Sequence, residues 1–399
     1  MRIATANAYD AQVDAIQRRQ AELTSTQTQL TTGLRVSKAS DDPAAAARAE
    51  RALASITRTE ATQRAVDASQ TSMSLTESAL SDAGDLLQQA REAIVAAGNA
   101  TYGDDERADQ ARQIRAIRNQ LLGVANRADA SGNYLFGGQG ATAPPFVDQP
   151  GGVGWRGVAG ESLVPADDQF PTSIDGQGAW MQARTGNGVF MTSAADSNGG
   201  GAWIDGGSVV DAQALTDSNY ELRFTGSGEA ATYTIYKDGT ATSQANQPYV
   251  SGQEIQIDGM AFAVSGSPTD GDRFDIAPST PTQSVFDVLD TIATQLETSR
   301  RPSGEVMQAN QDALRNLDSS MSRLQTTRAG VGDTLNRLDS ASGRLQQNKL
   351  SAQTDQSNAT DLDMAEAISR YKTKESSYDA ALKSYAMVQR LSLFNYVNS

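Results

Sequence analysis

Three pairs of adjacent aspartates, Asp41-Asp42, Asp104-Asp105 and Asp167-Asp168, are the first places in this chain to look for chemistry. Two carboxylates in divergent environments can divide acid and base roles, but they need an enclosed cleft to do so. Two of the pairs stand where helical patterns begin. There an aspartate accepts hydrogen bonds from free backbone N–H groups and meets the positive end of the helix dipole. The third lies in a loop-like stretch. Capping and solvated turns therefore outweigh acid–base work. Asp270-Gly271-Asp272 lacks the remaining ligand spacing of a calcium loop and reads as a turn. Gly151-Gly152-Val153-Gly154 lacks the Lys-Ser/Thr of a phosphate loop, and Asn99-Ala100-Thr101 and Asn358-Ala359-Thr360 match a glycosylation tripeptide that is common by chance.

The 399 residues contain no histidine and no cysteine. Ser-His-Asp triads, imidazole proton relays, thiolate metal sites and disulfides are thereby excluded. No constellation for carboxylate or lysine chemistry stands out. We expect no catalytic residue, no cofactor and no metal: a structural protein, not an enzyme. The formal net charge of −15 argues against nucleic acid, whose phosphates need a basic footprint, and gives no anchor for an anionic membrane. No stretch approaches the roughly 18–20 apolar residues of a membrane span. The opening Met-Arg-Ile-Ala-Thr has no apolar run, so no ordinary signal peptide is expected.

Composition divides the chain into helix, sheet and helix. Residues 1–136 and 281–399 are rich in Ala, Gln, Arg and Leu, whereas 137–280 shift to Gly, Pro, Asp, Thr and aromatics. The expected fold is mainly α with an inserted β domain: long helices from both termini forming a discontinuous coiled coil or bundle, and a β-rich central insertion.

The helical ends carry heptads. Tyr9, Ile16, Leu23 and Leu30 are spaced by seven, and Val13, Gln20, Gln27 and Leu34 form a half-polar companion seam. The last helix repeats the pattern with Met364, Tyr371, Tyr378 and Tyr385 beside Ile368, Glu375, Leu382 and Gln389, and the chain closes on an apolar run containing Leu393 and Phe394. Such helices are marginal alone in water and want partners. Between them, Leu80, Leu87 and Ile94 (after Met73) and Leu317, Leu324, Val331, Leu338 and Leu345 give stronger seams, the second accompanied by Leu314, Met321 and Leu335 with Arg328 interrupting. We expect Asp42 to cap a long helix with Pro43 in its first turn. Gly103-Asp104-Asp105 should break and recap it, Gly132 should end the next helix, and Thr360-Asp361-Leu362-Asp363 should act as a capping box. Ile114, Ile117, Leu121 and Val124 mark one helix face.

In the middle, Tyr220, Leu222 and Phe224 alternate, as do Tyr233 and Ile235, Ile255 and Ile257, Met260, Phe262 and Val264, and Phe274 and Ile276. Asp238-Gly239 and Asp258-Gly259 are hairpin signals. Residues 141–215 read as loops between short strands.

Thr32-Gly33-Leu34-Arg35-Val36 with Ser40-Asp41-Asp42-Pro43-Ala44 resembles the characteristic N-terminal stretch of bacterial flagellins and their relatives. Leu345 through Asn358 and Asp361-Leu362-Asp363-Met364-Ala365-Glu366-Ala367 resemble the matching C-terminal stretch. Gly132-Asn133-Tyr134-Leu135-Phe136-Gly137-Gly138 and the ending Leu391 to Val397 are similar to the hook–filament junction branch of that family.

The resemblance implies a subunit exported unfolded by the flagellar type III system, with an export chaperone on the C-terminal helix. Outside the cell it implies a homo-oligomeric ring between hook and filament, with the other hook–filament junction protein on the hook side and flagellin on the filament side. It also implies three domains: a terminal coiled-coil assembly domain (1–43 and 351–399), a helical bundle (44–140 and 281–350) and a surface-exposed β insertion (141–280). A bulk filament subunit of the same architecture is the alternative. A coiled-coil surface adhesin is a more distant one.

Overall fold

The computed structural model describes residues 2–99, 102–164, 169–199 and 201–397, with side chains described from 10 to 387 in those ranges except at Glu229. Seven α-helices are described: α1 (Arg2–Thr32), α2 (Pro43–Ala97), α3 (Asp104–Ala125), α4 (Gly176–Trp180), α5 (Val285–Glu297), α6 (Ser303–Thr360) and α7 (Met364–Val397). Fourteen strands lie between α3 and α5. The fold is mainly α with a central region of antiparallel sheets, as the composition implies. The chain divides into two compact units, Met1–Arg64 with Ala341–Ser399, and Ala65–Ser340. No helix among the described residues is long and apolar enough to cross a membrane.

In the larger unit, helix–helix packing follows strict sevenfold series. On α2, Met73, Leu80, Leu87 and Ile94 are buried, and so are Ser69, Thr76, Ala83, Ala90 and Ala97. On α6, Leu317, Leu324, Val331 and Leu338 are buried with Ala313 and Ser320. Large residues on one seam and small ones on the other let helices approach closely while filling the space between them. The expected companion seam of Leu314, Met321 and Leu335 is displaced by one position: these three are only half-buried and Arg328 is exposed. Arg328 reaches Glu77 at 2.6 Å instead.

Helix α3 packs along α5, burying Ile114, Ile117, Leu121 and Val124 against an apolar face that includes Phe286, Leu289 and Ile292. Gly103 precedes α3, and the Glu106 carboxylate accepts its N–H at 2.9 Å. Gly132 does not end this helix. α3 stops at Ala125 with Asn126 as its cap, and Gly132, at φ +86°, sits in a later turn. Asp129 takes over there by accepting the N–H groups of Ser131 and Asn133 at 2.8 and 2.9 Å.

The insertion begins with two small hairpins, β1 (Phe146–Gln149) with β2 (Gly152–Trp155), and β3 (Ser162–Val164) with β4 (Phe170–Ser173). Next come β5 (Phe190–Ala194), β6 (Trp203–Ile204), β7 (Ser208–Val209), β8 (Tyr220–Thr225), β9 (Thr232–Lys237), β10 (Thr240–Ala241), β11 (Gln247–Pro248), β12 (Glu254–Ile257), β13 (Met260–Ser265) and β14 (Arg273–Pro278). One sheet runs β10-β9-β8-β14-β5, with β11 also on β9; the other runs β12-β13-β6, with β7 also on β13. Their inward residues, among them Tyr220, Leu222, Phe224, Ile235, Phe262, Val264, Phe274 and Ile276, share one core. Both Asp-Gly turns are hairpin turns with positive φ at each residue: 46° and 82° at Asp238-Gly239, 42° and 81° at Asp258-Gly259. Asp270-Gly271-Asp272 is also a turn, in which Asp270 accepts the Gly226 N–H at 2.8 Å and Asp272 the Gly199 N–H at 3.1 Å.

Candidate assembly site

Two chain reversals, one near each end of the sequence, meet in the smaller unit. After α1 the chain turns at Gly33, whose φ of +72° is the left-handed conformation that glycine adopts without a Cβ clash. After α6 it turns at Asp361. The two turns are joined by backbone: the Leu362 N–H donates to the Gly33 carbonyl at 2.9 Å, and the Arg35 N–H to the Thr360 carbonyl at 2.7 Å. The Arg35 guanidinium then donates to the Ala359 carbonyl at 2.7 Å and to the Asp42 carboxylate at 3.2 Å. A cation at the C-terminal carbonyls of α6 complements their partial negative charge.

Each new helix leaving this joint starts on an aspartate. Asp42 accepts the Ala44 and Ala45 N–H groups at 3.1 and 3.0 Å and starts α2. Asp363 accepts those of Ala365 and Glu366 at 3.0 and 3.1 Å and starts α7. Thr360, the expected cap, instead ends α6. Its hydroxyl donates back to the Gln356 carbonyl at 2.9 Å, a bond open to any helical threonine, while Asp363 stands nearest the free N–H groups. Asp41 closes the preceding turn by accepting from the Ser37 N–H and hydroxyl and from the Lys38 N–H. The backbone N–H groups of Lys38 and Ser37 hold the Asp41 carboxyl below its ordinary range. The Ala45 N–H and the Arg35 guanidinium do the same for Asp42. Val36, Ala45, Ala359, Leu362 and Ala367 are buried at or beside these turns.

From the joint, α1 and α7 run antiparallel. Arg19 donates to the Ser377 carbonyl at 2.7 Å, and Lys374 to the Thr26 hydroxyl at 3.1 Å. Ile16, Leu23 and Leu30 on α1 are half-buried, as are Leu34 beyond it and Tyr371, Tyr378 and Tyr385 on α7. The seams beside them are Thr26 on α1 and Ala367, Lys374 and Ala381 on α7. Val13 therefore faces out, as do Met364, Ile368 and Leu382, at 47%, 45% and 40% exposure. The pair is half polar along its seam and exposes these four apolar side chains on its outside. The backbones of Tyr9, Leu393 and Phe394 lie in α1 and α7, but their side chains lie outside those described, as does the Asp167-Asp168 pair.

The proposed core residues Leu80, Leu87, Ile94, Leu317, Leu324, Val331 and Leu338 are buried in the larger unit, and Leu345, in the smaller one, is half-buried. The run Tyr134 to Gly138 serves internal packing. Phe136 meets Trp180 edge-on at 5.1 Å, and Phe146 and Phe286 complete the cluster. Gly138, at φ +69°, lies so close to Val158 that a Cβ would fall 1.8 Å from its carbonyl oxygen. Sequence reasoning missed Arg35 as the clasp of the joint. Its partner is a backbone carbonyl distant in sequence, and no side-chain pattern announces that.

The family profile for the bacterial flagellin N-terminal helical region matches residues 3–141, and that for the C-terminal helical region matches 314–397. "Flagellar hook-associated protein 3" of Salmonella typhimurium is 39% identical over 160 residues, 38% of this chain and 48% of that protein. Its namesake in Escherichia coli is 33% identical over 198 residues, 48% of this chain and 57% of that protein. The chain thus spans about half the length of the curated relatives it matches. The crystal structure of FlgL from Xanthomonas campestris superposes with a TM-score of 0.69 at 27% identity, covering 77% of this chain and 99% of that one. The two flagellin profiles together take in more than half of the residues, including both turns of the joint, and the chain belongs to the flagellin family.

Proposed function

We propose that this chain is a structural, non-enzymatic subunit of the bacterial flagellum that forms the junction between hook and filament. The observation that carries this reading is the α1–α7 pair. Its inner seam is too polar to be a strong core, and its outer face presents Val13, Met364, Ile368 and Leu382 to a neighbour. A helix pair of that kind gains stability by packing against copies of itself. The names of the two curated relatives support the junction over the bulk-filament reading.

On this reading the chain leaves the cell unfolded through the flagellar type III apparatus, with a chaperone shielding α7. It then assembles as a ring with the other junction protein on the hook side and flagellin on the filament side. Residues 1–43 and 351–399 make the assembly domain, 44–140 and 281–350 the helical bundle, and 141–280 the outward-facing insertion. Immunogold labelling of the insertion on isolated flagella tests this. A single band where hook meets filament is expected, whereas label along the whole filament would mean a bulk subunit.

A further inference from the structure

A cleft of about 940 Å³ opens in the larger unit between α6 and the loop at residues 182–188. Four arginines line it, Arg91, Arg184, Arg315 and Arg323, against two aspartates, Asp205 and Asp318. Most of these charges are already engaged. Arg91 pairs with Asp318 at 2.9 Å. Arg315 pairs with Asp312 and donates to the Thr192 hydroxyl at 2.8 Å. Asp205 accepts the Gly207 and Ala263 N–H groups, both at 3.0 Å.

Arg184 and Arg323 differ. Arg323 places its Nε on the Gly178 carbonyl at 2.6 Å, which fixes the guanidinium and leaves the terminal nitrogens free to donate. Arg184 is exposed, and its guanidinium makes only a 3.5 Å contact to the Gly188 carbonyl. Among the described residues no carboxylate pairs with either. Two guanidinium forks without carboxylates, in an open cleft wide enough for several side chains, recognise an acidic peptide segment better than a single small ion.

We infer that this cleft is a socket for an acidic segment of a second copy of the same chain. Charge complementarity favours that occupant. With a net charge of −15, a second copy carries an excess of carboxylates over cations to meet the two arginines. A ring closes through heterologous contacts, in which one patch of each subunit meets a different patch of the next. The socket and an acidic surface make such a pair. It fixes the register of the larger units while the terminal helices supply the apolar contact. This inference rests on the assembly reading above.

The test uses the full chain in cells that build flagella, with Ser322, on the cleft wall, replaced by photoreactive benzoylphenylalanine. Flagella are sheared off, irradiated and separated by mass. A crosslinked species of two copies of this chain is expected, joining residue 322 to an Asp- or Glu-bearing peptide. Adding Arg184→Glu should lower its yield about tenfold with the far-ultraviolet circular dichroism of the purified chain unchanged. Arg184→Gln, which removes the charge without reversing it, should give a smaller loss. Crosslinks confined to one copy, crosslinks to a different protein, or a dimer that survives Arg184→Glu would overturn the socket while leaving the assembly reading in place. Absence of the chain from flagella would overturn both.

Discussion

Arg35 and Ala359 are 324 residues apart in sequence and 2.7 Å apart in space, guanidinium to carbonyl. That bond, with the Arg35–Asp42 ion pair, lets one side chain touch the end of α6 and the start of α2 together. The stretches that resemble the flagellins, residues 32–36 with 40–44 and 361–367, therefore fall at the joint where α1 and α6 end and α2 and α7 begin.

Replacing Arg35 should loosen the joint without unfolding the larger unit. Arg35→Ala removes a charged donor from a partly exposed site, a loss of about 1 kcal/mol. Hydrogen exchange should quicken at the Val36 and Leu362 amides, and Arg35→Lys should rescue little, since a point charge cannot span both partners. Unchanged exchange in Arg35→Ala would show that the backbone bonds suffice.

Acid should weaken the same joint. Asp41 and Asp42 both have folded-state pKa values below the ordinary range. A carboxyl shifted that way contributes stability that is complete above its unfolded pKa and is lost as pH falls through its folded pKa. The joint should thus hold its full strength at neutral pH and weaken only below about pH 4. Asp42→Asn keeps a capping side chain and removes one titration, so its acid limb should be shallower by circular dichroism. A joint that strengthens on acidification would contradict the assignment.

Leu324 and Leu382 should separate folding from assembly. Leu324→Ala opens the α6 core and should cost about 2–5 kcal/mol in thermal or denaturant unfolding. Leu382→Asp changes an exposed position on α7, so it should leave the unfolding of the larger unit unaltered and abolish incorporation into flagella. Normal incorporation of Leu382→Asp would remove the outer face of α7 from the interface.

Gly138→Ala should be among the more damaging single-methyl changes in the chain. The position combines a left-handed φ with contact to the Val158 carbonyl, and a cost of about 2 kcal/mol or more is expected. Gly330→Ala, in open space on α6, serves as the control and should stabilise slightly. Equal melting temperatures for the two variants would refute the close-approach argument.

The large members of each heptad were legible because Leu317, Leu324, Val331 and Leu338 stand out from polar neighbours. Their small companions were not. Alanine, serine and threonine carry little hydrophobic signal, so the periodicity points to Leu314 and Met321, one position away from the buried Ala313 and Ser320. The same one-residue displacement turned Ile368 and Leu382 outward. The hairpins at Asp238 and Asp258 were legible because a two-residue turn has few solutions. The strands between 146 and 209 are two to five residues long, too short for a periodicity to register. Thr360 and Asp363 can both bind free N–H groups, and only the chain path decides that Asp363 meets them.

Electron microscopy of cells lacking this gene, with flagellin assayed in the culture medium, decides whether the chain joins filament to hook. Hooks without filaments, together with unpolymerised flagellin in the medium, are the expected result. Normal filaments on intact hooks would contradict the account.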